Sequence, residues 1–282
     1  MKIIDGKEVS AYIKQKIKDE ALALGVKPGL AVILVGNNPA SQVYVNNKKK
    51  ACEFCGFYSK SFELEESTTQ AELLELIDEL NKDDKIHGIL VQMPLPKHID
   101  EAAVIERIIP SKDVDAFNPV NVGKIMTGDF DFLPCTPAGV MELLKYYNID
   151  VASKTCAVIG RSNIVGKPMA MLMLHANATV TVYHSRSKNI TESVREADII
   201  VAAVGKKHFV TADMVKEGAV VIDVGINRGE DGKLYGDVDF ENVSKKASFI
   251  TPVPGGVGPM TIAMLMQNTL TSAKLSIKDG NK

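Results

Sequence analysis

The sequence predicts an α/β protein of two domains, one of them built on a doubly wound parallel sheet of the nucleotide-binding kind. Three observations carry that expectation. The chain has 282 residues, about twice the ~150-residue unit of a single domain. Short β-branched runs alternate with stretches of helical period, the pattern of βαβ units whose sheet is covered on both faces. From Thr155 onward the strand starts recur every ~20 residues, the tread of a doubly wound sheet. Composition agrees: 45% hydrophobic and 24% charged residues suit a globular protein and are too apolar for disorder.

Taken in order, strands are expected at Leu30 to Val35, Ile86 to Gln92, Thr155 to Gly160, Ala178 to His184, Asp198 to Val204 and Ala219 to Val224. Helices are expected from about Ala40 to Cys55, opened by Gly36-Asn37-Asn38-Pro39, and over Thr69 to Asn81, Pro137 to Tyr147 and Met169 to Ala176. Thr136-Pro137 reads as a cap followed by proline at the first helical position, and the domain change is placed there. A second crossing follows Thr251 to Pro259, after which Met260 to Lys274 is periodic enough to be a closing helix. The expected domains are therefore 1–138, with 259–282 packing back on it, and 139–258. The polar tail from Ser276 to Lys282 is expected to fray.

Charge narrows the function classes. Lysine and arginine total 33 against 35 acidic residues, a net charge of −2. The balance argues against a surface built throughout for nucleic acid or an acidic membrane; it does not forbid a local basic pocket. No run reaches the ~20 apolar residues of a membrane span. Met1-Lys2-Ile3-Ile4-Asp5-Gly6 puts an acid and a glycine where a signal peptide needs apolar residues, so the cytoplasm is the expected location. Cys52 and Cys55 form a C-x-x-C, but no second pair completes a zinc site and the pair closes a helix instead of opening one. The histidines show no paired ligand spacing, so no metal is expected.

In the second half, the strand Thr155 to Ile159 runs into Gly160-Arg-Ser-Asn-Ile-Val-Gly166-Lys-Pro168 and then a helix. A glycine ending the strand and another at the helix start suit a pyrophosphate approached by backbone N–H groups. The same pattern also serves a bare strand-to-helix turn. It is not G-x-G-x-x-G, because Ser162 takes the middle position, nor a Walker A loop, because Pro168 stands where a Ser or Thr would hold magnesium. The next strand ends in Tyr183-His184-Ser185-Arg186-Ser187. An NAD site usually has an acid here, an NADP site an arginine. With no acid present and Arg161 on the neighbouring loop, NADP is favoured, the other reading of Arg186 being a solvated surface charge. Gly205 and Gly225 close later strands and could be cofactor contacts or ordinary turn residues.

In the first half, Tyr44, Lys48, Ala51 and Cys55 fall on one helical stripe. A lysine drawn into a cleft is disfavoured in its charged form and can become a proton-transfer group; alternatively its stem packs and its ammonium reaches water. The Tyr-x-x-x-Lys spacing occurs in short-chain dehydrogenases, but after the dinucleotide fold, whereas here it precedes it. Gln92 ends a buried strand, where an amide meets a ligand or satisfies a loop. Lys112-Asp-Val-Asp115 offers carboxylates for a ligand or for a turn.

Together these pieces resemble the bifunctional methylenetetrahydrofolate dehydrogenase/methenyltetrahydrofolate cyclohydrolase family. The resemblance rests on Ser41-x-x-Tyr44-x-x-x-Lys48, Val91-Gln92-Met-Pro-Leu-Pro96, Lys112-Asp-Val-Asp115, Gly160 to Pro168 and Pro252-Val-Pro-Gly-Gly-Val-Gly-Pro-Met-Thr261. It covers nearly the whole chain in the family's order. It departs at Ala116, where the family usually has glycine, and the C-x-x-C lies outside the family pattern.

The resemblance implies an N-terminal catalytic domain, a Rossmann-type NADP domain and a cleft between them. It implies NADP-dependent oxidation of 5,10-methylenetetrahydrofolate to the 5,10-methenyl cation, then hydrolysis to 10-formyltetrahydrofolate, a one-carbon donor in purine biosynthesis. Lys48 becomes the main acid/base group, Tyr44 orients the ligand, Gln92 tunes the lysine and Asp115 binds the pterin donor edge. Ser41 and Pro254, Gly255 and Gly256 carry over as folate contacts. Gly160, Arg161, Ser162, Ser185, Arg186 and Ile226 carry over as cofactor contacts. A homodimer through the cofactor domains is implied too. The rivals are a shikimate-dehydrogenase-like NADP enzyme and a non-catalytic folate or NADP binder. The Tyr44/Lys48 and Pro-Gly-Gly motifs argue against the first; intact Lys48, Gln92 and Asp115 argue against the second.

Overall fold

The computed structural model of the chain describes residues 1–280. In chain order its elements are β1 (Lys2–Ile3), α1 (Gly6–Ala23), β2 (Gly29–Val35), α2 (Pro39–Cys55), β3 (Tyr58–Leu64), α3 (Gln70–Lys82), β4 (Gly88–Val91), α4 (Glu101–Arg107), α5 (Pro119–Thr127) and α6 (Cys135–Tyr146). There follow β5 (Thr155–Ile159), α7 (Gly166–His175), β6 (Thr179–Tyr183), α8 (Ile190–Arg195), β7 (Ile199–Ala202), β8 (Val220–Asp223), β9 (Asn227–Arg228), β10 (Leu234–Tyr235), α9 (Phe240–Val243), β11 (Phe249–Ile250) and α10 (Val257–Gly280). Two compact units result: Met1–Ser10 with Thr136–Thr261, and residues 11–135 with those from Ile262 onward.

The first unit holds a six-stranded sheet in the order β1-β11-β8-β7-β5-β6, parallel at every pairing. The chain leaves β5 to one side for β6 and returns to the other for β7. That reversal opens a crevice at the carboxyl ends of β5 and β7, where ligands of doubly wound sheets bind. β7 and β8 are buried along their whole length, because helices cover both faces of a parallel sheet. Ile159, Ile200, Val221 and Ile250 pack in its core.

The second unit is a three-stranded parallel sheet in the order β3-β2-β4. All seven residues of the central strand β2 are buried. Helix α3 closes one face through Leu73, Ile77 and Leu80. It starts at a capping box in which Thr69 and Glu72 satisfy each other's backbone N–H groups.

Several boundaries differ from expectation. Residues 1–10 belong with the second half of the chain, because β1 adds parallel to β11 with Ile3 opposite Ile250, and Ile4 is wholly buried. A two-residue strand at the start of the chain gives no hint of such a distant partner. Helix α6 opens at Cys135, one residue before the expected cap, and the Thr136 hydroxyl pairs instead with that of Thr261 at 3.0 Å. Helix α10 runs to Gly280, through much of the tail expected to fray; Asn281 and Lys282 lie outside the described residues. Helix α1 was not anticipated, although Val9, Ile13, Ile17 and Ala21 recur every fourth residue and are all buried.

Candidate active site

In the second unit, Pro39 opens α2 and the Asn38 side chain accepts the Ser41 N–H at 3.2 Å, as an N-cap should. The buried residues of α2 are Ser41, Val45, Lys48, Ala51, Cys52 and Cys55, which share one side of the helix at 100° per residue. Lys48 is thus on the inward face. Tyr44 falls on the same side by angle and is nevertheless 41% exposed, a departure from the expected burial of the stripe, of which Lys48, Ala51 and Cys55 are buried. Cys52 and Cys55 are packing residues, their thiols pushed up by burial to about 12 and about 11.

The Lys48 ammonium donates to Gln92 Oε1 at 2.8 Å. Gln92 follows β4, its backbone N–H bonded to the Ile33 carbonyl at 2.8 Å, and its Nε2 donates to the Met93 carbonyl at 2.7 Å. That second bond assigns the amide its orientation and keeps the oxygen on the lysine. Burial holds the Lys48 pKa below the ordinary lysine value, outweighing the opposite pull of Asp115. Asp115 is half-buried, and desolvation raises its carboxyl to about 6, with Lys48 pulling it down and Asp113 pushing it up. Asp115 also helps line a small apolar recess with Ile89, Val91, Met93 and Phe117.

Three further residues complete this cluster; sequence reasoning passed over two of them, Cys135 and Asn268, and offered Asp113 as a ligand or turn carboxylate. Cys135 is buried, its thiol donating to the Val114 carbonyl at 3.5 Å and to Asp115 at 3.7 Å. Its pKa is pushed well up, first by burial and then by Asp115, so it stays a neutral thiol. Asp113 is buried and accepts from the Asn118 N–H and Asn121 Nδ2, both at 2.8 Å, shaping the turn that carries Asp115. Asn268 on α10 donates to the Val114 and Leu133 carbonyls, both at 2.8 Å. Nothing local marks Cys135 or Asn268; Asp113 sits in the quoted Lys-Asp-Val-Asp motif. Ala116 adopts φ of +57° and is fully buried, the left-handed region that favours glycine. The expected glycine position is therefore a real backbone demand, met here by alanine.

The first unit gathers the other predicted residues along the carboxyl edge of its sheet. Gly160 follows β5 with φ of +125°, and a Cβ there would lie 2.2 Å from the Ala203 carbonyl oxygen. A Cβ on Gly166 would lie 2.3 Å from the Gly160 carbonyl oxygen, so the loop closes tightly onto the start of α7. Ser162 Oγ accepts the Val165 and Gly166 N–H groups at 3.2 and 3.3 Å, which is what a hydroxyl in the middle position contributes. After β6, the His184 N–H donates to Ser187 Oγ at 3.0 Å, and the turn leaves Ser185 and Arg186 exposed. Arg161 and Ile226 are exposed as well, and neither arginine forms a salt bridge among the described residues. A tight glycine turn, a serine and two available guanidiniums fit a dinucleotide carrying an extra phosphate. Pro254, Gly255 and Gly256 belong to this unit, where the Gly255 carbonyl accepts the Gly6 N–H at 2.9 Å. The structure thus brings Lys48, Gln92 and Asp115 together in one unit and the cofactor candidates together in the other. Among the described residues no His, Cys, Asp and Glu group could hold a metal, and no helix is long and apolar enough to cross a membrane.

A doubly wound sheet with a nucleotide-type edge, joined to a unit carrying a buried lysine–amide pair beside a carboxylate, defines the class of two-domain nucleotide-dependent enzymes. Residues 4–115 match the family described as tetrahydrofolate dehydrogenase/cyclohydrolase, catalytic domain, and residues 134–277 match its NAD(P)-binding domain. The chain belongs to the tetrahydrofolate dehydrogenase/cyclohydrolase family. It is 64% identical to the bifunctional protein FolD of Acetivibrio thermocellus over 280 residues, 98% of each chain. The crystal structure of the bifunctional FolD methylenetetrahydrofolate dehydrogenase/cyclohydrolase of Campylobacter jejuni is similar at 56% identity and a TM-score of 0.96, covering 98% of this chain and 99% of that one. The Trypanosoma brucei methylenetetrahydrofolate dehydrogenase-cyclohydrolase, solved with NADP and an inhibitor, is similar at 41% identity and a TM-score of 0.93, over 98% of each. Shikimate dehydrogenase of Thermus thermophilus, at 14% identity and a TM-score of 0.56, shares the fold alone.

Proposed function

We infer that this chain oxidises 5,10-methylenetetrahydrofolate with NADP and hydrolyses the resulting 5,10-methenyl cation to 10-formyltetrahydrofolate. The observation that carries the reading is the 2.8 Å Lys48–Gln92 pair beside Asp115 in a chain of this family. NADP, when bound, supplies the hydride acceptor for the first step. For this chain's own residues the task is then placement and one proton transfer.

Asp115 accepts paired N–H bonds from the pterin edge. Ser41 and Tyr44 lie one turn apart on α2 ahead of Lys48; Tyr44, exposed, orients the ligand. Burial lowers the Lys48 pKa below the ordinary lysine value, which eases loss of its proton, and the amine so formed can take a proton from the water that adds to the methenyl carbon. Gln92 holds that amine in place through Oε1. A lysine disfavoured as an ammonium also avoids a standing charge against the cationic substrate. Pro254, Gly255 and Gly256 are proposed folate contacts. Gly160, Arg161, Ser162, Ser185, Arg186 and Ile226 bind the nucleotide, Arg186 at the 2′-phosphate.

The finer readings follow the same reasoning. The chain acts in the cytoplasm, supplying one-carbon units for purine biosynthesis. It forms a homodimer through its nucleotide-binding unit. Support for the dimer comes from β6, an edge strand with Thr179, Thr181 and Val182 exposed, since an open edge invites pairing with a second copy.

The test is to incubate the purified chain with 5,10-methylenetetrahydrofolate and either NADP or NAD, following reduced nucleotide and methenyl absorbance separately. Reduction with NADP and decay of the methenyl signal are expected. Absence of reduced nucleotide with both cofactors would overturn the dehydrogenase reading.

A further inference from the structure

A carboxylate far from Lys48 in sequence organises the nucleotide edge. Asp237 follows β10 and is wholly inaccessible to solvent. Its Oδ2 accepts the Val204 and Gly205 N–H groups at 2.6 and 2.9 Å. Its Oδ1 accepts the Lys206 N–H at 2.8 Å and Asn227 Nδ2 at 2.9 Å. No cation pairs with it among the described residues; neutral donors alone stabilise the buried charge.

The three successive amides belong to the loop after β7, and Gly205 in its middle has φ of +65°. N–H groups converging from such a left-handed step form an anion-binding nest. Here the protein's own carboxylate fills the nest, so it is a fastening and not a phosphate site. Asn227 brings in the loop after β8, directly beside Ile226. Asp223, at the end of β8, reinforces the arrangement: it accepts the Gly225 and Asp237 N–H groups at 3.0 and 2.9 Å through Oδ1 and the Val238 N–H at 2.9 Å through Oδ2. A Cβ on Gly225 would lie 2.2 Å from Asp237 Oδ1, which explains the glycine there by close approach and not by a turn.

We propose that Asp237 is a positioning residue for the dinucleotide: its carboxylate ties the Val204–Lys206 loop and the Ile226–Asn227 step into the single arrangement that receives the cofactor at the carboxyl edge of β7 and β8. The inference rests on the NADP reading above and adds a residue to it that touches neither substrate nor cofactor. Charge and symmetry of the acceptor are both required. In Asp237→Asn the amide NH2 must face either the Val204 and Gly205 donors or the Lys206 and Asn227 donors, so either flip sets donor against donor.

The test compares wild type and Asp237→Asn in three measurements: NADP affinity by titration calorimetry, dehydrogenase KM and kcat, and hydrolysis of methenyltetrahydrofolate without nucleotide. Two unpaired buried donors should raise the Kd and KM for NADP roughly tenfold or more, with dehydrogenase kcat at saturating NADP and the hydrolysis rate within about twofold of wild type. An unchanged Kd, or a loss of hydrolysis in parallel with nucleotide binding, would overturn the proposal in favour of a general folding role. Should Asp237→Asn fail to fold, Asn227→Ser removes a single donor and is expected to raise the Kd about threefold; no change would again overturn it. A wild type that binds NADP without oxidising folate would sink the assigned activity alone, leaving the Kd comparison to decide the role of Asp237.

Discussion

The lysine cluster and the nucleotide edge solve opposite problems. Around Lys48 the side chains are withdrawn from water, and desolvation moves their proton affinities: the lysine down, Asp115 up to about 6, Cys135 well up. Along the nucleotide edge Arg161, Ser162, Ser185, Arg186 and Ile226 are all exposed, and the buried part is backbone held by Gly160, Asp223 and Asp237. Proton transfer needs a titratable group tuned by burial. Binding a long anion needs exposed donors on a framework that does not move. A substitution at the first site should therefore change chemistry and pH dependence, and one at the second should change affinity.

The sharpest break is Lys48→Met. It removes the proton acceptor while filling the same buried volume, so methenyl hydrolysis should fall by ~10²-fold or more with NADP affinity unchanged; surviving hydrolysis would deny the lysine its role. In the wild type, hydrolysis should rise with pH as the lysine loses its proton, and that rise should begin below the ordinary lysine range. At the other site, Arg186→Ala should weaken NADP by roughly 10–100-fold, the worth of a charge-assisted bond, and leave NAD affinity nearly unaltered. Equal weakening of both nucleotides would remove the 2′-phosphate assignment.

Asp115→Asn tests whether burial is the cause of the shifted proton affinities. The carboxyl titrates near 6 in the folded chain and in the ordinary carboxylate range when unfolded. Between those values the native state binds more protons, so this group's contribution to stability is present below pH ~4 and is lost as pH rises through ~6. Asparagine does not titrate. The variant should therefore gain on the wild type between pH 4 and 7, by on the order of 1–2 kcal/mol after allowing for partial exposure, while folate turnover falls. Denaturant melts at both pH values measure it, and a pH-independent difference would refute it. Smallest of all, Ala116→Gly releases a left-handed alanine worth about 1 kcal/mol, offset by the greater freedom of glycine in the unfolded chain. A net gain within ~1 kcal/mol is expected, and a clear loss would show that the methyl packing dominates.

Legibility in the sequence followed the range of the interactions. Strands β2, β5, β7 and β8 were visible because each is an apolar run bounded by turn residues, and α2 and α3 because their caps and periods are local. Lys48 could be placed on an inward face from helical spacing alone; the exposure of Tyr44 on the same side could not, because spacing fixes the angle of a side chain and not what packs over it. β1 and β11 are two-residue strands that exist only through their pairing, and no local signal marks them. Cys135 and Asn268 reach Asp115 and Val114 across a gap of 20 and 154 residues, and nothing in either neighbourhood points to the other.

By itself, then, the sequence determined the α/β class, the glycine turn after β5, and the candidate residues of the proposed nucleotide and proton-transfer sites, because each is written in nearest-neighbour pattern. Only the tertiary structure decided which charges are desolvated. Lys48 and Asp115 acquire their altered proton affinities from neighbours distant in sequence, and Asp237 becomes a buried anchor through donors ten to thirty-three residues away. A pattern of spacing can tell which way a side chain faces; how much water is left when it arrives depends on everything that folds around it.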